Sequence, residues 1–213
     1  MEFNRAKFIE ILDYIKKCKK NVKIVAVSKN HPQNSIINAI HCGVTIFGEN
    51  RVQEALEKFA FIKKTKPKIE LHLTGPLQPN KVKSALSIFD VIQTLDREKL
   101  AKEFIKYPNL IKNKIFFIQV NVGEEQNKSG ILPKEAKSFL EFCQIDLKIK
   151  ISGLMCIPPL YEKPEPYFSL LKKIALENNI EHLSMGMSDD YKKAIQRDAS
   201  YIRVGTILFG SRL

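Results

Sequence analysis

Lys29 is the residue of this chain whose position most directly suggests chemistry. It follows an apolar run at residues 22–27, so it stands where a buried strand would end and a turn would begin. Partial desolvation at a strand tip lowers the pKa of a lysine and leaves some neutral amine, the form that attacks carbonyl carbons. In a chain with 35 lysines and arginines, such a residue is far more often a solvated surface charge. Position alone therefore makes Lys29 a candidate nucleophile and no more.

Two glycine-containing segments near the C-terminus could hold a phosphate group. Residues 184–188 and 203–206 each follow or end a short apolar run and bring together small residues and hydroxyls. Such turns leave backbone N–H groups open, which suits an anion, and Gly186 and Gly205 would let ligand oxygens approach closely. Two ordinary glycine turns with a serine helix cap would give the same pattern, so both interpretations stand.

Three further polar turns follow apolar runs, at residues 48–51, 74–81 and 121–130. The first could be no more than a helix cap made by Glu49 or Asn50, and the second no more than a long turn. The third is too long for a simple connection and too polar for a core, which is typical of loops that carry function.

Eight short apolar runs predict the strands that would position these turns, and helical patterns separate them. The predicted strands are residues 22–27, 44–47, 69–73, 89–93, 115–121, 148–154, 182–184 and 201–204. The predicted helices are an opening helix at 8–15 and the segments 32–40, 52–63, 81–85, 97–107, 133–143, 167–178 and 189–197.

This alternation favours a parallel sheet covered by helices, and eight strands is the number that closes into a barrel. We therefore predict a single (β/α)8 TIM barrel domain over residues 1–213, with an extra N-terminal helix. Ligands of such a barrel bind at the carboxyl ends of the strands, where the polar turns lie. An open doubly wound sheet is the alternative architecture, and periodicity alone does not separate the two.

Composition predicts a folded cytoplasmic protein with a basic surface. The net charge is +12, with 44% hydrophobic and 27% charged residues. No stretch approaches the roughly 18 apolar residues of a membrane span, and the first residues lack the layout of a secretory signal, so we expect no membrane partner. The basic runs at 16–20 and 63–68 look like helix ends, where lysines complement the helix dipole. Without interleaved aromatic residues or a recognition motif, they make nucleic acid an unlikely partner.

The four cysteines are scattered along the chain, at Cys18, Cys42, Cys143 and Cys156. Their spacing fits neither a zinc site nor a disulfide framework. We predict four buried thiols and no metal site.

Seven segments, in order along the chain, resemble the pyridoxal phosphate homeostasis protein family. They are residues 26–29, 47–54, 71–81, 128–130, 153–155, 183–188 and 203–210. The resemblance runs from about the first predicted strand to the C-terminus. One departure is Leu71, which precedes His72 where the family often has an aromatic residue, and Thr74 and Pro76 flank Gly75. We expect the packing or the loop shape to differ there, including the contacts of residues 78–81.

The resemblance implies the barrel of the alanine racemase N-terminal domain, with pyridoxal 5'-phosphate (PLP) held as a Schiff base on Lys29. By the same likeness Ser188 and the backbone at Gly205 and Thr206 hold the phosphate, while Arg203 faces the pyridine nitrogen. The implied cofactor-binding residues are Lys29, Asn50, Met155, Ser184, Ser188, Arg203, Gly205 and Thr206. Lys128, in the long fifth loop, is a candidate second amine for transfer or anion contact.

An arginine at the ring nitrogen stays protonated and does not readily protonate the ring, which restrains carbanion chemistry. Related racemases take a second base from a C-terminal β-domain of a partner subunit, and this chain stops at Leu213 without one. The resemblance therefore implies a PLP carrier in vitamin B6 homeostasis with no catalytic residue of its own. It further implies a monomer, with apo forms of PLP-dependent enzymes as candidate recipients. The alternative is a weak amino-acid racemase or lyase with Lys29 as its sole base.

Overall fold

The computed structural model describes residues 3–210 and shows eight parallel strands that close into a barrel. The strands are β1 (Lys23–Val27), β2 (Ile46–Glu49), β3 (Glu70–Leu73), β4 (Val91–Leu95), β5 (Ile115–Val120), β6 (Ile151–Cys156), β7 (His182–Ser184) and β8 (Tyr201–Val204). The first strand closes the barrel on the last, with Lys23 opposite Tyr201 and Ala26 opposite Val204. This closure confirms the predicted (β/α)8 barrel over the open sheet.

Helices connect successive strands, and one more helix precedes β1. They are α1 (Arg5–Lys17), α2 (Gln33–His41), α3 (Val52–Thr65), α4 (Val82–Ile88), α5 (Glu98–Phe104), α6 (Pro108–Ile111), α7 (Ala136–Glu141), α8 (Glu165–Glu177), α9 (Tyr191–Gln196) and α10 (Thr206–Phe209). The extra N-terminal helix is α1, as predicted. Its Asn4 side chain caps the first turn by accepting from Lys7 N–H at 3.0 Å, and Asn4 N–H donates to Leu208 O at 2.8 Å. Helix α1 is thereby tied to α10, which follows β8.

The strands are buried on both faces, and each face has its own apolar cluster. Outward-facing side chains such as Ile24 and Ala26 join the large core under the helices. The barrel interior holds a smaller cluster of Val25, Val91, Phe117, Met155 and Tyr201. Gly153 makes room for it, because a Cβ there would lie 2.5 Å from Phe117 Cε2. The double burial explains why the strands read as continuous rather than alternating apolar runs.

Element boundaries differ from the prediction mainly where apolar residues belong to turns. Strand β2 begins at Ile46 rather than Val44, because Val44 N–H bonds Ala39 O and completes the end of α2. Glu49 consequently belongs to the strand, and α3 has no side-chain cap, so the helix-cap interpretation of residues 48–51 is wrong. Helix α5 ends at Phe104, three residues before the end of the predicted helix 97–107, and Pro108 starts the separate helix α6 just beyond the predicted segment.

Two of the four thiols are buried, Cys143 and Cys156, whereas Cys18 and Cys42 are partly exposed. The prediction of four buried thiols is therefore wrong for the first two, which lie at the C-terminal ends of α1 and α2. Within residues 3–210, all four are free of disulfides, and no cluster of three His, Cys, Asp or Glu side chains is placed to hold a metal. No helix in this range is long and apolar enough to cross a membrane.

Candidate functional site

A cavity of about 210 Å³ opens at the carboxyl ends of the barrel strands. It is lined by Val27, Lys29, Asn50, Thr74, Ile157, Met187, Ser188, Asp189, Arg203, Gly205 and Thr206. Six of the eight predicted cofactor-binding residues are in this lining, namely Lys29, Asn50, Ser188, Arg203, Gly205 and Thr206. These residues come from both ends of the sequence. They meet in one cavity because β1 and β8 are neighbours in the barrel.

The turn that carries Lys29 is held from behind by helix α3. Lys58 on α3 donates from Nζ to Ser28 O at 2.8 Å and to His31 O at 3.3 Å, the carbonyls on either side of Lys29. Asn30, whose φ of 62° is left-handed, donates its N–H to Glu54 Oε1 at 2.5 Å. These contacts fix the backbone beneath a half-buried Lys29 side chain.

Glu49 completes this support with a buried carboxylate. Its Oε1 accepts from Ser28 Oγ at 2.7 Å and lies 2.6 Å from Lys58 Nζ. Its Oε2 has no hydrogen-bond partner among the described residues. Desolvation outweighs the attraction of Lys58 and raises the pKa of Glu49 to about 7. The carboxyl group therefore titrates near neutral pH directly behind the Lys29 turn.

Beside the Lys29 turn, the turns after β7 and β8 present hydroxyl and backbone groups to the cavity. Helix α10 begins at Thr206, with Gly205 at its N-cap, and the first N–H groups of a helix have no partner within it. Ser188 Oγ accepts from Ile207 N–H at 3.4 Å, which joins the turn after β7 to the first turn of α10. A Cβ on Gly205 would approach Val27 O to 3.1 Å, so a glycine suits this close contact between β8 and β1.

Asn50 lies in the cavity wall, where it joins two turns. Thr74 Oγ1 donates to Asn50 Oδ1 at 2.9 Å, so the turn after β3 packs on the turn after β2. The two backbones meet at Gly75, where a Cβ would lie 2.4 Å from Asn50 O. The glycine of residues 74–81 is thereby explained by close packing.

Arg203 enters the cavity from the barrel interior and is only 4% exposed. Its Nη1 donates to Ser184 Oγ at 2.9 Å and its Nη2 to Cys156 O at 2.8 Å. Burial lowers the pKa of Arg203, but from a value so high that the guanidinium stays protonated. The cavity therefore has a fixed positive group on one wall.

Two predicted residues lie beneath the cavity rather than in its wall. Met155 packs in the cluster inside the barrel, and Ser184 bonds Arg203 and Gln93. Ser184 thus acts on the cavity through Arg203.

Lys128 lines a neighbouring cavity of about 240 Å³, which shares Asn50 and other wall residues with the first. Its Nζ pairs with Glu125 at 2.5 Å and donates to Pro158 O at 3.3 Å.

Comparisons with known proteins show the family to which this chain belongs. Residues 6–213 match the family model of the alanine racemase N-terminal domain. A pyridoxal phosphate homeostasis protein of Aquifex aeolicus is 41% identical over 202 residues, with 89% of this chain and 87% of the relative covered. The chain belongs to the pyridoxal phosphate homeostasis protein family.

Solved structures of other proteins share the barrel. PipY of Synechococcus elongatus, solved without PLP, has a TM-score of 0.87 at 33% identity, covering 97% of this chain and 99% of that one. PipY with PLP bound has a TM-score of 0.80 at 31% identity, covering 93% and 99%. An alanine racemase of Corynebacterium glutamicum shares the fold, with a TM-score of 0.73 at 13% identity, covering 99% of this chain and 62% of the racemase.

The residues present fit the cofactor for which this family is named. PLP carries an aldehyde, a ring nitrogen and a phosphate, and the cavity offers an amine, a guanidinium and a helix N-terminus with a serine hydroxyl. The donors therefore match the three polar groups of PLP in kind.

The sequence did not reveal the side chains that support the site. Lys58, Glu70 and Gln93 lie inside predicted helices or strands, and His72 is distinguished in the sequence only by the resemblance of residues 71–81. The available signal was the presence of polar residues in apolar runs, such as His72 within β3 and Gln93 within β4.

Proposed function

We propose that this protein binds PLP, holds it as a Schiff base on Lys29 and takes part in intracellular vitamin B6 homeostasis. The observation that carries the proposal is that one cavity collects the Lys29 amine, the Arg203 guanidinium and the beginning of α10. Membership of the homeostasis family and the PLP complex of PipY support it.

Lys29 would supply the amine that links to the cofactor. PLP contributes an aldehyde that condenses reversibly with a neutral primary amine, and release by another amine breaks no bond at a substrate carbon. The Lys29 turn is fixed by Lys58 and Glu54, so the amine needs little reorganisation to reach a ligand in the cavity. Reversible linkage suits storage and delivery.

Ser188, Gly205 and Thr206 would hold the phosphate. Backbone N–H groups at the start of α10 point their positive ends toward an anion, and the Ser188 hydroxyl adds a side-chain donor. Met155 and Ser184 would contribute from beneath, the first by packing and the second by holding Arg203. Asn50 would close the side of the cavity next to β3.

Arg203 would face the pyridine nitrogen and keep it unprotonated, because a guanidinium donates hydrogen bonds but does not readily release a proton. An unprotonated ring withdraws electrons poorly, so proton removal from a bound amino acid is slow. We therefore propose a carrier with little or no catalysis of its own. Weak racemase or lyase activity with Lys29 as sole base is the competing function.

Delivery would involve a second amine and protein recipients. Lys128 lines the adjoining cavity, so it is placed to receive the cofactor or contact its phosphate on the way out. We propose apo forms of PLP-dependent enzymes as recipients. We also propose that the chain acts in the cytoplasm as a monomer and that residues 1–213 form a single domain.

The assignment of Lys29 is tested by trapping the bound cofactor. Protein incubated with PLP should show an absorbance band of bound cofactor, and borohydride reduction with peptide mapping should place the adduct on Lys29. Lys29→Ala should lose both the band and the adduct. Lys83→Ala, which removes an exposed lysine of α4, is the matched control and should retain both. A reducible adduct on another lysine of the Lys29→Ala protein would refute the assignment.

A further inference from the structure

A chain of hydrogen bonds crosses the barrel interior and ends at Arg203. Ser184 Oγ donates to Gln93 Oε1 at 2.7 Å, and Gln93 Nε2 lies 2.7 Å from His72 Nδ1. His72 Nε2 in turn lies 2.6 Å from Glu70 Oε1. We call these four residues with Arg203 the interior relay. His72, Gln93 and Ser184 are fully buried, whereas the Glu70 side chain is 31% exposed at the amino end of β3.

The direction of every hydrogen bond in the relay follows from its two ends. The Glu70 carboxylate only accepts, and its hydrogen bond to His72 keeps its pKa below the usual range, so His72 Nε2 carries the proton. Burial lowers the pKa of His72, which leaves the ring neutral and Nδ1 an acceptor. Gln93 must therefore turn its amide nitrogen to His72 and its oxygen to Ser184.

The remaining bonds follow from that orientation. Ser184 gives its only proton to Gln93 Oε1, which leaves the Ser184 lone pairs for Arg203 Nη1. At the other end of the relay the Arg203 guanidinium can only donate hydrogen bonds. This agrees with an arrangement in which the Glu70 carboxylate only accepts. Every donor and acceptor of the relay is therefore satisfied only when each hydrogen bond is donated in the direction from Arg203 to Glu70.

The relay also compensates a buried charge. Among residues 3–210, no carboxylate oxygen forms an ion pair with Arg203 within 4.0 Å. Burial lowers the pKa of Arg203, and the Asp190 carboxylate opposes this effect from beyond ion-pair distance. A buried cation without a contacting counter-ion is costly, and aligned hydrogen-bond dipoles that end on a carboxylate reduce that cost. The dipoles of Ser184, Gln93 and His72 are aligned in this way, with the Glu70 carboxylate at the end.

We propose that the interior relay positions the Arg203 guanidinium against the ring nitrogen of bound PLP, and that Glu70, His72 and Gln93 are positioning residues for cofactor recognition. The inference rests on the proposed function, because it assigns Arg203 to the ring nitrogen. It extends the site across the barrel to residues that touch no ligand.

The test compares PLP with its 1-deaza analogue, which has carbon in place of the ring nitrogen. The full-length wild type should bind PLP about tenfold more tightly, since only PLP accepts a hydrogen bond from Arg203. Gln93→Leu and Glu70→Gln should reduce this preference to about threefold or less. Tyr201→Phe removes a hydroxyl that forms no bond within the relay and keeps the ring that packs on His72, so this control variant should keep the wild-type preference.

The outcomes separate the two hypotheses. If the wild type does not bind PLP on Lys29 or shows no preference, the proposed function or its Arg203 contact fails. If the wild type shows the preference and both variants keep it, the relay is overturned. Equal weakening of PLP and the analogue also overturns it, because a general structural defect would act on both ligands. Should Gln93→Leu fail to fold, Glu70→Gln at the partly exposed end carries the test.

A second measurement needs no cofactor. Nitrogen NMR of the apo protein should show His72 as the neutral tautomer with its proton on Nε2, and Tyr201→Phe should leave this tautomer unchanged. A proton on Nδ1 of the wild type would contradict the direction assigned to the relay.

Discussion

At the scale of single residues, the site depends on groups whose charge is set by burial. Lys29 needs a neutral amine, Arg203 must stay charged, and Glu49 carries a carboxyl group whose pKa is about 7. These three lie on or directly behind the wall of the same cavity. Burial raises the pKa of Glu49 and lowers that of Arg203, because an acid and a base respond to desolvation in opposite directions.

Glu49 gives a pH prediction. Its pKa in the folded state, about 7, lies above the ordinary 4.5. The folded protein therefore binds more protons than the unfolded chain between these values, and the contribution of Glu49 to stability is lost as pH rises through this window. The free-energy difference between the wild type and Glu49→Gln should change by about 3 kcal/mol from pH 4.5 to 7.5, measured by urea unfolding at each pH.

The control for this prediction is Glu54→Gln. Glu54 shares Lys58 with Glu49, but its pKa is lowered by the hydrogen bonds it accepts. Its difference from the wild type should not follow the Glu49 curve between pH 4.5 and 7.5. If Glu49→Gln and the wild type give parallel stability curves over this range, the carboxyl group does not titrate near neutrality.

At the scale of elements, the packing of β5 against β6 shapes the barrel interior. Gly153 of β6 admits the Phe117 ring, with which a Cβ would collide at 2.5 Å. Gly153→Ala should therefore lower the free energy of unfolding by about 2 kcal/mol, as measured by chemical denaturation. Combining it with Phe117→Leu, which shortens the opposing side chain, should cost less than the sum of the two single changes. Additive effects would show that the ring does not depend on this glycine.

Strands whose apolar runs end at polar turns were predicted closely from the sequence. The observed β7 and β8 coincide with residues 182–184 and 201–204. The predicted start of β2 is two residues early, because the apolar Val44 belongs to the turn that ends α2. Helix α10 was not predicted as a helix, since its four residues are too few for a periodic pattern.

The candidate site was predictable in part for the same reason. Parallel strands bring their carboxyl ends to one edge, so the order of the predicted strands is enough to place turns such as those at Lys29 and Gly205 together. The interior relay could not be predicted, because local patterns do not show which residues of β3, β4 and β7 face one another across a barrel. Contacts such as Gln93 with Ser184 join residues that are 91 positions apart.

At the scale of the whole molecule, the question is whether the barrel works as a carrier or as an enzyme. Loaded protein incubated with L- or D-alanine in deuterated water should exchange the α-hydrogen hardly at all, because the proposed contact of Arg203 would leave the ring a weak electron acceptor. Proton NMR of the alanine measures the exchange, with Lys29→Ala as the background control. Exchange in the wild type at a rate useful for turnover would favour the racemase alternative.

The closure of β1 on β8 has a consequence for the newly made protein. The amine at position 29 leaves the ribosome well before its proposed partners at positions 188–206. A nascent chain therefore has no complete pocket until the eighth strand and the turn after it have been made, and a polypeptide interrupted before that strand would lack Arg203, Gly205 and Thr206. Capture of the vitamin is thus confined to molecules in which the last barrel strand has been synthesised and has paired with the first.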